Sequence, residues 1–213
     1  MGIMDADHFS LFMTPLSVFH LPDMDDVNEE LTARLLAEAE LSRGVMRSNI
    51  GGWHSVPDLS RRPEPCYRAL LQIVVDRVRE VHDRVVEAAG LPPSPPFLYG
   101  VQGWAMVMRD GDYATLHDHA DAHWSVVYYA DAGDADPEMH PHSGLLAFVD
   151  SRRTGRSIVG LDLFPTTFTV RPHTGALVVF PGFLQHYVHC YRGERPRVSI
   201  SCNVQLESAH RPG

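Results

Sequence analysis

Two periodicities divide the chain. Before about residue 90 the apolar positions recur at helical spacing, and beyond it they fall into short β-branched or aromatic runs. Val27, Leu31 and Leu35 lie four apart and share one face of a helix. Asp26 with Glu29 suggests a capping box at its start, and Gly44 marks its end. A second, longer helix opens at Pro65, with Leu70, Val74, Val78, Val81 and Val85 as its apolar stripe. Gly90 and Pro92 stop it. Ahead of both helices, Phe9 to His20 reads as an edge strand or extended lead-in, because Pro15 removes a ladder donor. Asn49 to Ser55 is a glycine-rich loop carrying Trp53, and Leu91 to Pro96 is a stiff connector rather than a domain boundary.

The strand runs are Val101–Arg109, Trp124–Ala130, Gly144–Val149, Thr167–Val170, Ala176–Phe180, His186–Tyr191 and Val198–Gln205, punctuated by Gly, Pro and Asp. Two helices followed by seven or eight strands predict an α+β protein in which the helices pack on one face of a double-sheet jelly roll. Residues 1–213 read as a single domain, a length that suits one substantial core.

Composition changes this picture in three places. The formal charge of −9, with no basic stripe, argues against nucleic acid and anionic membrane surfaces, and favours a neutral or cationic substrate. No segment is apolar and long enough to span a bilayer, and the N-terminus has no signal-peptide pattern. Cys66, Cys190 and Cys202 are irregularly spaced, which suits reduced thiols in a cytoplasmic protein. The unusual number is thirteen histidines, many of them between His117 and His189.

His117 and His119 are two apart, so on an extended backbone both imidazoles leave the same face. Two such rings begin a metal site, and His186, at the end of Phe-Pro-Gly-Phe-Leu-Gln-His, is the best donor of a third. Downstream, Arg197 and Ser199 share one face of a strand, a guanidinium and a hydroxyl shaped to hold a carboxylate. The loops Asp131 to His142 and Ser151 to Pro165 flank the expected mouth and are expected to order over substrate, with His140 and His142 in reach of it.

These residues, with Gly51-Gly52-Trp53-His54-Ser55, Trp104-Ala-Met-Val, Trp124-Ser-x-Val-Tyr-Tyr and Arg197-x-Ser-Ile-Ser-x-Asn203 in this order, resemble the 2-oxoglutarate- and iron(II)-dependent oxygenases. Within them the chain is similar to a small bacterial and phage-encoded subgroup with His-x-His. The resemblance implies a double-stranded β-helix core and the cofactors Fe(II) and 2-oxoglutarate. It implies His117 and His186 as iron ligands, and Arg197 with Ser199 on the far carboxylate of 2-oxoglutarate. Most of the family has a carboxylate where this chain has His119. Three arrangements are open: His119 as third ligand, Asp118 or Asp121 supplying a carboxylate through a bulge, or only two protein ligands. Tyr128, on the following strand, is in range of 2-oxoglutarate, and Trp53, His54 and Trp104 are candidates to line the substrate pocket. The implied activity is oxidation of a small molecule by O2, most simply hydroxylation of an unactivated C–H bond, with no catalytic group beyond the metal centre. Halogenation or desaturation at the same centre, or a non-catalytic metal-binding jelly roll, are the alternatives.

Overall fold

The computed structural model describes residues 12–152 and 165–208. In chain order its elements are β1 (Ser17–His20), α1 (Asp25–Leu41), β2 (Asn49–Ile50), β3 (Trp53–His54), α2 (Pro65–Ala88), β4 (Phe97–Met108), β5 (Tyr113–His117), β6 (Trp124–Asp131), β7 (Leu146–Val149), β8 (Thr167–Val170), β9 (Ala176–Pro181), β10 (His186–Val188) and β11 (Arg197–Ser208). They form two antiparallel sheets, one in the order β1-β9-β6-β11-β4-β3 and the other β2-β5-β10-β7-β8. This is the jelly roll, with both helices on the outer face of the larger sheet. Among the described residues no helix is long and apolar enough to cross a membrane.

The central strands of the larger sheet are buried on both faces, and strand parity decides which side chain goes where. On β6, Trp124, Val126, Tyr128 and Ala130 pack towards α1 and α2, while Val127 and Tyr129 face the second sheet. On β11, Val198, Ile200, Cys202 and Val204 join the helical layer. The intervening Arg197, Ser199, Ser201 and Asn203 line an interior cavity. Leu31, Leu35, Leu70, Val74 and Val78 close the outer layer with 1% exposure or less. Each such side chain contributes about 1.5–3 kcal/mol through burial.

Local signals set most boundaries. Pro65 opens α2, where its missing N–H costs nothing, and Gly90, at φ +66°, turns the chain out of it. The capping box of α1 does not form: the helix starts at Asp25, which leaves Asp26 inside the first turn with no side-chain cap. There Asp25 and Asp26 still complement the helix dipole. The helix also ends at Leu41, three residues before Gly44, which sits at φ +62° against Trp53 and His54. β1 is the expected edge strand but covers only Ser17–His20, and Phe9 to Leu11 lie outside the described residues. β10 stops at Val188, three residues short of the expected run, because the chain turns in so that Tyr191 can pack beside Met106 and Met108.

Candidate active site

The two sheets enclose a cavity of about 430 Å³ lined by residues of β3, β4, β5, β6, β10 and β11. That is the size of a small-molecule site. His117 ends β5 and is paired across the ladder with His186, which opens β10. His119 lies just beyond the strand, in a turn whose backbone N–H bonds the Gly182 carbonyl. Ring nitrogens of His117, His119 and His186 come within 4.8 Å of one another, and no Asp or Glu joins them among the described residues. Asp118 instead accepts the Ala120 N–H, and Asp121 is exposed. The structure thus brings His119, and neither Asp118 nor Asp121, beside His117 and His186.

The rings share one further feature. Nδ1 of His117 lies 2.7 Å from the Thr115 carbonyl, Nδ1 of His186 lies 2.8 Å from that of Leu184, and Nδ1 of His119 lies 2.6 Å from Asn203 Oδ1. Carbonyl and amide oxygens only accept, so each Nδ1 carries the proton and each Nε2 keeps its lone pair. Burial lowers the pKa of all three, pushing His186 down to about 3, with neighbouring His117 adding to the effect there. At neutral pH the three rings are therefore uncharged donors, the state a metal ion requires.

Arg197 stands at the opposite end of the β11 row from Asn203. It is 1% exposed, its Nε has no hydrogen-bond partner, and Nη1 reaches only Met108 Sδ at 3.0 Å. Its guanidinium sits 4.9 Å over the Tyr129 ring, and the Tyr129 hydroxyl is also buried without a partner. Burial raises the pKa of that phenol, so it stays a donor. A desolvated cation–π contact gives about 2 kcal/mol or somewhat more. Burying an unpaired charge costs several kcal/mol, so these contacts do not balance it. Two orphaned donors, with Ser199 between them and the three clustered rings along β11, fit one carboxylate group. Arg195, by contrast, is exposed and already paired with Asp131 and Asp134.

Three expectations from the sequence differ from the structure. Tyr128 faces the helical layer, where its hydroxyl bonds Asn28, and Tyr129 takes the place beside Arg197. Trp53 likewise packs in the helical layer and gives its indole N–H to Ser42. His54 and Trp104 do line the cavity: their rings are stacked 5.8 Å apart, and Trp104 stacks 5.3 Å from His119 on its other side. The loop Asp131 to His142 does not border the cavity. Asp134 accepts the Arg195 N–H and gives its own N–H to the Tyr191 hydroxyl, while His142 stacks on His189. Of the second loop, residues 153–164 lie outside the described residues. Sequence reasoning missed Arg47, Ser48 and Gln102, which also line the cavity.

Gly182 explains part of the Phe-Pro-Gly motif. A Cβ there would strike the carbonyl oxygens of His119 and Ala122, so only glycine lets the turn carrying His119 lie against the β9–β10 connection. Gly182→Ala is expected to displace His119, lowering stability by about 1–3 kcal/mol. Metal affinity should fall with it, which a thermal melt and a cobalt(II) titration of the same sample would read together.

Fold and cavity together define a class: a jelly-roll protein whose interior joins a histidine cluster able to hold a metal to a buried seat for a carboxylate. Residues 102–203, which include every one of these groups, match the family model described as 2OG-Fe(II) oxygenase. Over that stretch, just under half of its length, the chain is similar to the 2-oxoglutarate-dependent iron oxygenases, a family whose cofactors are iron(II) and 2-oxoglutarate. Solved structures agree in fold. A prolyl-4-hydroxylase from Pseudomonas putida is 18% identical, covers 95% of this chain and 96% of its own, and gives a TM-score of 0.56. A Trichoplax adhaerens prolyl hydroxylase, solved with a peptide fragment of hypoxia inducible factor, is 12% identical over 89% of this chain and 83% of its own, with a TM-score of 0.60. HygX from Streptomyces hygroscopicus, solved with nickel, 2-oxoglutarate and hygromycin B, is 14% identical over 90% and 83%, with a TM-score of 0.56. No curated protein matches the chain.

Proposed function

We propose that this chain, acting as a single domain, hydroxylates an unactivated C–H bond of a small molecule and releases succinate and CO2. His117, His119 and His186 hold iron(II) through Nε2. Arg197 pairs with the far carboxylate of 2-oxoglutarate, and Tyr129 and Ser199 add hydrogen bonds to it. When bound, the iron and 2-oxoglutarate supply the oxidising chemistry with O2. The protein's part is to fix the two ends of 2-oxoglutarate, exclude water from the cavity and hold the substrate against the rings of His54 and Trp104. The observation that carries this reading is Arg197: a guanidinium with 1% exposure and no anionic partner among the described residues.

A third histidine beside the other two favours hydroxylation over halogenation, which needs a vacant ligand position for halide. The cavity volume of about 430 Å³ supports a small substrate, and HygX, similar in fold, has been solved with hygromycin B bound. With Arg197 paired to 2-oxoglutarate, the lining among the described residues keeps Arg47 and holds no Asp or Glu, so it suits a neutral or anionic substrate, where the overall charge of −9 favours a neutral or cationic one.

The test is to incubate the protein with iron(II), 2-oxoglutarate and a metabolite library in air while following succinate. The expected product gains one oxygen atom. A product that gains a halogen or loses two hydrogens would assign the alternative outcome, and no succinate from any mixture would leave a metal-binding module.

A further inference from the structure

We infer that Asn203 is the positioning residue that allows a histidine to serve at position 119, by fixing which nitrogen of that ring faces the metal. The inference rests on the ligand assignment proposed above. A carboxylate ligand presents equivalent oxygens, whereas an imidazole has two nitrogens, one of which carries a proton. If Nε2 carries it, the ring offers the metal an N–H and cannot bind.

His117 and His186 solve this within their own segments, each giving Nδ1–H to the carbonyl two residues earlier, Thr115 and Leu184. His119 lies past the end of β5, and its Nδ1 instead meets the side chain of Asn203, 2.6 Å away on the other sheet. The Ser125 hydroxyl, from the strand beside Asn203, approaches the same oxygen at 3.4 Å. Trp104, two strands from β6 in that sheet, stacks on the His119 ring at an interplanar angle of 7°. The stack limits tilt of the ring, and Asn203 selects its rotation and its tautomer. His119 is thus oriented by the larger sheet although it hangs from the smaller one. The histidine and the asparagine form one unit.

Two measurements test this. In metal-free protein, nitrogen-15 NMR of the histidine rings should show His119 protonated at Nδ1. In Asn203→Leu the proton should move wholly or partly to Nε2, while His117 and His186 keep theirs. In a cobalt(II) titration against a chromophoric chelator, Asn203→Leu should weaken binding about 10- to 100-fold, the usual effect of removing a partner of a ligating histidine. In a His119→Asp background, whose carboxylate has no tautomer, the same substitution should change affinity less than about twofold. Asn203→Asp, which keeps an acceptor oxygen, should retain the wild-type tautomer and guards against a folding defect in the leucine variant. An equal loss in both backgrounds, or a His119 that stays protonated at Nδ1 in Asn203→Leu, overturns the inference. If wild-type protein binds no cobalt(II) while the tautomer shift occurs, the ligand assignment fails and takes the metal-positioning role with it, leaving Asn203 only as the group that sets the His119 tautomer.

Discussion

Arg197→Ala should lose 2-oxoglutarate affinity while keeping its affinity for metal. In the wild-type protein the guanidinium is buried beside the Tyr129 ring with its Nε unpaired, and in the proposed function the far carboxylate of 2-oxoglutarate would offset its desolvation. Truncating one member of a buried charged pair costs about 2–5 kcal/mol. On the affinity scale that is roughly 30-fold to a few thousand-fold in half-saturating 2-oxoglutarate. Cobalt(II) affinity without 2-oxoglutarate should be unchanged, because Arg197 is not among the clustered rings. Arg195→Ala, on an exposed side chain already paired with Asp131, should leave both quantities alone. Calorimetric titration of the two variants checks this, and a 2-oxoglutarate requirement that survives Arg197→Ala but not Arg195→Ala would move the seat to the turn.

The larger effect still belongs to the histidines. His117→Ala and His186→Ala each remove one of three converging nitrogens, and no Asp or Glu among the described residues stands ready to replace it. Outer partners of such ligands are worth about 10- to 100-fold in metal affinity. Loss of a ligand itself should exceed that and abolish succinate formation. His119→Ala should also weaken binding clearly, whereas Asp118→Ala and Asp121→Ala should not, since Asp118 is engaged with the Ala120 N–H and neither joins the cluster. Equilibrium dialysis with cobalt(II) separates these outcomes. One metal retained at wild-type affinity in His117→Ala or His186→Ala would show the cluster is not the site.

Much of this was legible in the sequence, and the failures have a common cause. The helical stripes of α1 and α2 carried their own period. The two-residue spacings of His117 with His119 and of Arg197 with Ser199 could be read as shared faces. On β6, however, Trp-Ser-Val-Val-Tyr-Tyr is buried on both sides, between the helical layer and the second sheet. A strand covered on both faces shows no apolar alternation. Nothing in the run therefore distinguished Tyr128 from Tyr129. Trp53 and His54 pose the same problem on a strand of two residues. The Asp131 to His142 loop looked mobile from its acidic composition. Its Asp134, however, is held by Tyr191 and Arg195, more than fifty residues away. Asn203 lay in plain view in the last motif, but its meeting with His119 depends on how two sheets face each other.

In the proposed function one cavity holds both a metal on three histidines and a carboxylate on Arg197, so that 2-oxoglutarate spans them. The most direct test of this is a calorimetric titration of 2-oxoglutarate into wild-type protein with and without cobalt(II), under nitrogen. Binding should saturate at one equivalent, tighten markedly when the metal is present, and tighten the metal by the same factor in return. Identical 2-oxoglutarate affinity with and without metal would contradict it.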